Sequence, residues 1–466
     1  MQVNRFSDMV EYLKGARRKT VVAVPQAHGK SALEAALDFR DAAGGSARVL
    51  LIGDKETIGS RLEGYSWGPE VEIVGAAGGR ESVLRAIDLV DAGKVEIVLK
   101  GSLASDILMR TIVEDRRLLE PGRVITHIRV FETRRGMVIM SDGGINVISG
   151  LPPRRRLLVK RAIIENAASV ATLLGEGGCG IALLVGEKGR STWQEEDFCS
   201  LAREMEGGPL SPKVVSAREA FDALRGDESR MPRVFVFPWI GPANIVDKAC
   251  NRLPEWAGAR WSVAHEEDVR IERAGLLRVF GWNGERLAVA VPCPNATAAH
   301  KESLLEAAVR FMRRPNHDVV KVALLDFTER ISQFETVPSL DDGRLMAQRF
   351  CGRADCVIEG PMAYDIAVSG KSARIKGFLP GGGPSLVAGG PDVLFAPDFD
   401  SGTLLGAVYE HWRELELPWK GADISFGGRV PVLVPSRSDS AEFKLRSIAT
   451  AAYIMSIRRR AASSDP

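Results

Sequence analysis

A short polar turn near the C-terminus carries the residues best suited to chemistry. Its polar members are Ser436, Arg437, Ser438 and Ser440. The apolar run before it, residues 430–434, predicts a buried strand that Pro435 ends, because proline has no N–H to donate. Residues 441–455 after it carry apolar side chains at spacings of four and three, which predicts a helix. The turn therefore precedes a helix N-terminus, where free N–H groups and the guanidinium of Arg437 favour an anion such as phosphate.

A capping box explains the same residues without a ligand. In that interpretation Asp439 caps the helix, and Glu442, three residues later, reaches back to it. A cap and an anion site are compatible at one helix N-terminus, and the sequence leaves both open.

Composition narrows the class of protein. The 466 residues suffice for two or three domains, and 45% hydrophobic with 26% charged residues is usual for a globular protein. The net charge of +2 gives no reason to expect nucleic acid or an anionic membrane as a partner. The sequence shows no signal peptide, no membrane-spanning run, no CxxC pair among six cysteines and no histidine cluster. We therefore expect a cytoplasmic protein without metal, nucleic acid or membrane as a partner.

The N-terminal part alternates short apolar runs with helical spacings. The runs cover residues 20–24, 49–52, 71–74 and 95–99. This rhythm predicts a parallel sheet with right-handed crossovers, whose ligands bind at the carboxyl ends of the strands. Lys100 and Gly101 stand at one such end. On spacing alone, Lys100 is a solvated lysine as readily as a ligand contact.

Two further runs, residues 124–131 and 137–141, predict a hairpin. Asp142 and Asn146 follow its second strand, where polar side chains can orient a ligand. An aspartate that bonds to the backbone of its own turn explains Asp142 equally well.

These segments together resemble the phosphate acetyltransferase/phosphate butyryltransferase family, most closely its butyryl branch. Residues 436–445 are similar to its C-terminal motif Ser-Arg-x-Asp-Ser-x-Glu-x-Lys-Leu, and residues 141–146 to its Thr-Asp-x-x-x-Asn turn. Residues 359–368 resemble its Asp-Gly-Pro-Leu-Ala-Leu-Asp-x-Ala-Val run, with Glu359 in place of the first Asp. Residues 384–392 resemble a Ser-Pro-Val-Ala-Gly-x-Ala-Asp loop. The family's Asn-Pro-Lys motif is mostly lost after Glu329.

The resemblance implies an enzyme that interconverts acyl-CoA and phosphate with acyl phosphate and coenzyme A. Transfer is direct, in a cleft between domains, with acyl-CoA and phosphate as substrates and with neither metal nor bound cofactor. The implied fold is that of the isocitrate and isopropylmalate dehydrogenases, two α/β domains with mostly parallel sheets.

The resemblance also assigns site residues. The catalytic candidates are Arg437, Ser440, Asp365, Asp142 and Glu442. The phosphate and coenzyme A contacts are Ser436, Arg437, Lys100, Gly101, Asn146, Gly360, Pro361 and Gly389. Ser440 or the N–H groups of its turn would stabilise the oxyanion, whereas the base stays open among Asp365, Asp142 and Glu442.

The chain is longer than one family copy and contains a degenerate internal repeat. The Arg-Val-Phe at residues 129–131 recurs at 278–280, and residues 234–244 match 393–403. We predict a first α/β domain at residues 1–160 that the strand and helix of 421–466 complete, a degenerate copy of the second domain at 161–275, and the second α/β domain at 276–420. The alternative is an unrelated α/β insertion. The chain would be a homo-oligomer or a pseudo-dimeric monomer.

Two other classes of function remain open. A catalytically silent paralogue would bind acyl-CoA or assemble with an enzyme, which the lost Asn-Pro-Lys motif favours. A dehydrogenase of the related fold is a more distant alternative, because the sequence has no Gly-x-Gly-x-x-Gly and no clustered metal aspartates.

Overall fold

The structure is a computed structural model. It describes residues 3–16, 19–134, 136–148, 150–175, 178–225, 232–257, 264–282, 285–314, 317–329, 337–411 and 419–464.

Fifteen helices lie in the described part of the chain. They are α1 (Phe6–Lys14), α2 (Lys30–Ala42), α3 (Lys55–Leu62), α4 (Gly79–Asp91), α5 (Ser105–Asp115), α6 (Pro153–Leu173), α7 (Trp193–Glu204), α8 (Ala217–Arg225), α9 (Ile240–Ala257), α10 (Ala298–Met312), α11 (Pro338–Arg349), α12 (Tyr364–Ala367), α13 (Gly370–Lys376), α14 (Phe399–His411) and α15 (Ala441–Ser464). In the same residues, no helix is both long enough and apolar enough to cross a bilayer.

Seventeen strands accompany them in the described residues. They are β1 (Thr20–Pro25), β2 (Ala47–Gly53), β3 (Val71–Gly75), β4 (Ile97–Leu99), β5 (Thr126–Thr133), β6 (Gly136–Ser141), β7 (Ile181–Val185), β8 (Lys213–Ser216), β9 (Val234–Val236), β10 (Ala264–Ile271), β11 (Gly275–Trp282), β12 (Glu285–Pro292), β13 (Val320–Leu325), β14 (Cys356–Met362), β15 (Val393–Phe395), β16 (Lys420–Phe426) and β17 (Val432–Leu433). They form three sheets, of five, six and six strands. The predicted α/β class with mostly parallel sheets is confirmed.

The chain divides into two compact units. Unit 1 contains residues Met1–Ile139, Ala162–Gly178 and Lys420–Pro466, and unit 2 contains Met140–Arg161 and Cys179–Trp419. Each unit is described by itself below.

Unit 1 is built on the five-stranded sheet, with the strand order β17-β4-β1-β2-β3 and every adjacent pair parallel. One face packs on α4 and α5 through residues such as Val83, Ile87 and Ile112. Helix α15 packs on α2, and both contact strands of the sheet. The chain leaves β1 toward β2 and later returns to β4 on the other side of β1. Such a reversal opens a crevice at the carboxyl ends of the strands, where ligands of open α/β sheets bind.

Unit 1 also holds β5, β16 and the first residues of β6, all from a second sheet. Strands β16 and β5 pair antiparallel, from Phe426 opposite Thr126 to Lys420 opposite Glu132. Ser425 receives a hydrogen bond from Val432 N at 3.0 Å, so β16 also fixes the start of β17.

Unit 2 holds the remaining six-stranded sheet, with the order β10-β11-β12-β15-β13-β14. The pairs among β10, β11 and β12 are antiparallel, whereas β15 pairs parallel with β12 and β13, and β13 with β14. Strand β7 pairs parallel with β8 and β9 in the same unit. The core under the six-stranded sheet includes Leu277, Val309 and Val322.

Residues 151–156, Leu-Pro-Pro-Arg-Arg-Arg, predict a break in the chain with a solvated basic turn. The helix instead begins at Pro153. Proline is favoured at the first helical position, where its missing N–H costs no hydrogen bond. Arg156 is not solvated, since it pairs with Asp197 at 2.5 Å and lies over the ring of Trp193.

At Gly101 the ends of strands β4 and β1 in unit 1 approach each other closely. A Cβ at this position would lie 2.3 Å from Gln26 O and 2.5 Å from Pro25 O. We expect Gly101→Ala to lower the free energy of unfolding by about 1–3 kcal/mol, because backbone must move to accept it. Gly59→Ala is the control, since its Cβ meets no atom within 4 Å and alanine favours the helix. Chemical denaturation of both variants measures the difference, and equal stability of Gly101→Ala and the wild type would contradict the geometry.

Candidate functional site

The carboxyl edge of the five-stranded sheet gathers the residues of the candidate site in unit 1. Lys100 N donates to Leu433 O at 2.9 Å, which aligns the ends of β4 and β17. Gly101 N donates to Pro25 O at 3.1 Å, which aligns the ends of β4 and β1. The C-terminal turn and Lys100 are therefore held at one sheet edge, although the sequence separates them by more than three hundred positions. We refer to Lys100, Arg437 and Lys444 as the cation cluster.

Lys100 is buried without a directly bonded counter-charge among the described residues. Its residue is 2% exposed, and its ammonium makes no hydrogen bond or ion pair with any residue that the structure describes. Burial first of all, and then the positive charges of Lys444 and Arg437, lower the pKa of Lys100 to about 7, against the opposing effect of Asp439 and Asp423. A solvated strand-end lysine, the alternative open in the sequence, does not describe this residue.

Lys444 connects the first turn of α15 to the first turn of α2. Its Nζ donates to Ser31 Oγ at 2.6 Å and to Asp439 O at 2.7 Å, and the residue is 2% exposed. Helix α2 begins after Gly29, which supplies no side-chain cap. The cation cluster therefore lies where two helices begin, and the N-terminal ends of helices attract negative charge.

The turn before α15 is held by its own side chains. Ser436 N donates to Asp439 Oδ2 at 2.7 Å, and Ser436 and Ser438 share a hydroxyl bond at 2.9 Å. Ser440 Oγ accepts from Phe443 N at 3.2 Å, so Ser440 is the capping residue. Its hydroxyl keeps a hydrogen that it can donate to a ligand.

The capping box predicted for Asp439 and Glu442 is wrong in its partners. Asp439 N donates to Ser436 O at 3.0 Å rather than to Glu442. The Glu442 carboxylate pairs with Arg446 at 2.5 Å, one turn further along α15, and its side chain is exposed. An ion pair at that spacing forms on the helix surface without bending the chain back.

Sequence reasoning assigned no role to four residues that support this site. Lys444 and Ser31 make the contact described above, and Asp423 pairs with His127 at 2.8 Å with both side chains buried. The lysine of the C-terminal motif was the signal available for Lys444. Ser31 and the Asp423–His127 pair give no signal of their own in the sequence.

In unit 2, Asp142 is engaged by its own turn. Its Oδ1 accepts from Gly144 N and Ile145 N, both at 3.3 Å, and its Oδ2 accepts from Asn146 N at 3.2 Å and from the Asn146 amide. Asn244 Nδ2 donates to Gly143 O at 2.8 Å and braces the same turn. Asp142 and Asn146 are thus brought together, as partners of each other.

The other predicted residues of unit 2 also have structural partners. Asp365 is 0% exposed and pairs with Lys376 at 2.8 Å and Lys248 at 3.1 Å. A Cβ at Gly360 would lie 2.5 Å from Leu324 O, and one at Gly389 would lie 2.8 Å from Gly370 N. These two glycines therefore permit close packing of backbone, and Pro361 continues the strand β14 between the residues of the motif.

Glu359 stands where the motif has its first Asp, and its contacts give the longer side chain a structural role. Its carboxylate accepts from Leu386 N at 2.9 Å and from the Ser385 hydroxyl. The longer side chain thereby fixes the loop that contains residues 384–392. Among the described residues, no group of three His, Cys, Asp or Glu side chains is placed to hold a metal ion.

The geometry of unit 1 is suited to a small dianion. An anion would compensate the charge of Lys100 and accept hydrogen bonds from Arg437 and the hydroxyls of the turn. This sheet edge is therefore a candidate site for a phosphate group.

Comparison with known proteins gives distant similarities. No family model matches the chain. It is 30% identical over 161 residues to a phosphate acetyltransferase of Rickettsia typhi, a match that covers 34% of this chain and 43% of that protein. It is 34% identical over 138 residues to a phosphate acetyltransferase of Rhizobium meliloti, covering 28% and 40%. These matches span less than half the length of either relative. A phosphate butyryltransferase of Clostridium acetobutylicum is 25% identical over 264 residues, covering 53% of this chain and 84% of that protein.

The solved structures that align with the chain are also remote in sequence. A branched-chain phosphotransacylase from Enterococcus faecalis is 15% identical with a TM-score of 0.37, covering 93% of this chain and 98% of that chain. The EutD phosphotransacetylase from Staphylococcus aureus is 12% identical with a TM-score of 0.40, covering 97% and 99%.

We expect the buried charge of Lys100 to lower the stability of the free protein and to favour the binding of an anion. The folded protein loses this proton as the pH rises through about 7, whereas the unfolded chain keeps it to about 10, so the charge destabilises the fold most below pH 7. We expect Lys100→Met to raise the free energy of unfolding by on the order of 2 kcal/mol at pH 7, with a smaller gain as the pH rises. Sulfate should then stabilise the wild type and not the variant.

Lys94→Met, an exposed lysine before the same strand, is the control and should change neither property. Denaturation curves at several pH values, with and without sulfate, make the measurement. A destabilised Lys100→Met that still responds to sulfate would contradict the assignment.

Proposed function

We propose that the chain belongs to the phosphate acetyltransferase/phosphate butyryltransferase family, in its butyryl-like branch, and interconverts acyl-CoA and phosphate with acyl phosphate and coenzyme A. The observation that carries the proposal is the uncompensated Lys100 beside Arg437 and Lys444 at the edge of the unit 1 sheet. The C-terminal motif that resembles the family supplies part of this cluster.

The proposed reaction is a direct transfer. A phosphate oxygen attacks the thioester carbonyl carbon, the bond to sulfur breaks, and the thiolate leaves and takes a proton. Arg437 and Ser436 bind phosphate, and Lys100 neutralises its second charge. Holding phosphate beside the thioester removes much of the entropic barrier, and a hydroxyl donor such as Ser440 stabilises charge on the carbonyl oxygen.

We propose a first domain at residues 1–160, completed by 421–466, and a second α/β domain at 276–420. The framework is the isocitrate and isopropylmalate dehydrogenase-like arrangement. Gly360, Pro361 and Gly389 shape the loops of the second domain in this scheme. Asp142 and Asn146 orient ligand through the turn that they stabilise.

An internal repeat is part of the proposal. In unit 2, β9, β7 and β8 are adjacent in that order, and so are β15, β13 and β14. Each set follows the same chain order, and the helices that follow β9 and β15, α9 and α14, pack against each other. We infer that residues 161–275 are a degenerate copy of the second domain, which makes the chain a pseudo-dimer.

A second candidate function is supported by one observation. The three carboxylates proposed as the base are all engaged: Asp142 by its turn, Asp365 by two lysines and Glu442 by Arg446. A catalytically silent paralogue that binds acyl-CoA would need no base. Measuring acyl-CoA binding and turnover on the same preparation distinguishes the two functions, because a silent paralogue binds acyl-CoA without turnover.

Arg437 should be required for turnover. One charged contact to an oxyanion contributes roughly 3 kcal/mol, so we expect Arg437→Ala to reduce phosphate-dependent release of thiol from acyl-CoA by about 100-fold. A thiol dye and a panel of acyl-CoAs give the rates. Arg429→Ala is the matched control, because Arg429 forms an exposed ion pair with Asp91 at 2.9 Å in the same unit. Unchanged turnover of Arg437→Ala at limiting phosphate would refute its role.

The pseudo-dimer should contain one competent site. The degenerate copy at 161–275 lacks a Ser-Arg-x-Asp-Ser turn, and Val291 stands at the position that corresponds to Asp142. Calorimetric titration with coenzyme A should therefore show one equivalent bound per chain, and Arg437→Ala should weaken it. Two equivalents per chain would show that both copies bind ligand.

A further inference from the structure

A cavity that does not include the cation cluster lies entirely in unit 2. It encloses about 260 Å³ and is lined by residues between Thr192 and Phe399. Pro397 and Asp398 reach it from the end of β15, Asn295 from the end of β12, and Trp239 from the end of β9. Strand ends of this kind are where α/β proteins bind ligands. The proposed function leaves this cavity unused.

Aromatic rings form much of the cavity wall. Trp193, Trp239 and Phe399 all line it. The protein already places its own cations on two of these rings, since Arg156 lies 4.6 Å from the Trp193 centroid and Arg190 lies 6.0 Å from that of Phe399. Within the described residues, Trp239 has no such cation. Its indole is fixed by a hydrogen bond from Nε1 to Asp398 Oδ2 at 3.0 Å. Aromatic rings are thus part of the cavity wall, and aromatic rings attract cations.

The charges that face the cavity are predominantly negative. Lys301 is its one lining cation among the described residues, and it already pairs with Asp342 at 2.6 Å. Asp398 accepts from Trp239 Nε1 and from Ser401 N at 2.8 Å, but no described cation pairs with it. Behind the wall, Asp326 is 0% exposed, and one of its oxygens makes no hydrogen bond with a described residue. Burial raises the pKa of Asp398, and it raises that of Asp326 to about 7, against the opposing effects of the charge of Lys301 and of hydrogen bonds.

We propose that this cavity is a binding site for a small organic ammonium ion. The carboxylate of Asp398 would pair with the ammonium, and the Trp239 and Trp193 rings would cover its alkyl groups. A hard metal ion is a poor fit, because it requires about six oxygen ligands and the aromatic walls supply none. An anion is a poor fit, because the lining ammonium of Lys301 is already paired. The volume lies below the roughly 300–1,000 Å³ typical of drug-sized ligands, which limits the occupant to a small molecule.

Tetramethylammonium and butylammonium test the proposal by calorimetric titration of the full chain, with tert-butanol and 1-pentanol as neutral analogues. We expect saturable binding of at least one ammonium probe and binding at least tenfold weaker for the alcohols. Asp398→Asn keeps the size of the side chain and should weaken ammonium binding at least tenfold. Asp341→Asn is the control on α11, because Asp341 is exposed and pairs only with Arg344 at 3.2 Å.

Further variants keep the result interpretable if Asp398→Asn unfolds. Trp193→Leu, at a half-buried position, should also weaken ammonium binding, and thermal melts establish whether each variant is folded. Arg437→Ala should leave ammonium binding unchanged, so failure of this proposal is distinguishable from failure of the proposed transferase function. Equal binding of ammonium ions and alcohols, no saturable ammonium binding by the wild type, or full binding by a folded Asp398→Asn variant would overturn the proposal.

Discussion

The burial of one uncompensated ammonium group constrains the candidate site. Transferring the Lys100 charge out of water costs free energy, and the neighbouring positive charges of Lys444 and Arg437 add to that cost. The sheet has to hold the residue there, through Lys100 N on Leu433 O and the glycine that follows it. A fold that retains such a charge gains from it only when an anion binds, which connects the stability of unit 1 directly to its proposed function.

The two units contribute differently to the proposed chemistry. In unit 1 the polar groups converge on a place for a ligand, with two helices beginning beside it. In unit 2 the side chains of the motif residues bond to other parts of the protein. Asp142 bonds to its own turn, Asp365 pairs with lysines, and Glu359 bonds to the loop that it holds. Anion binding is therefore the better supported half of the mechanism, and proton transfer is the half that a silent paralogue would lack.

Much of the fold followed from patterns in the sequence, because apolar runs and helical spacings are local properties. The strand before Pro435, the helix after Ser440 and the alternating elements of the first part were predicted and are confirmed. Other features depend on partners distant in the chain. Nothing local distinguishes a buried Lys100 from a solvated one, or predicts that Lys444 reaches Ser31 across more than four hundred positions. The cap was misassigned by one residue because Asp439 and Ser440 are both good caps. Which of the two caps α15 depends on the path of the backbone in the turn before the helix.

The ionisation of Lys100 tests the central claim most directly. Nuclear magnetic resonance of lysine labelled with 13C at Cε, assigned by comparison with Lys100→Met, follows this one side chain through a pH titration. The account predicts a pKa of about 7 without an anion and a higher pKa when phosphate is present, because a bound dianion stabilises the ammonium form. A pKa near the usual value for lysine, or one that phosphate does not change, would contradict it.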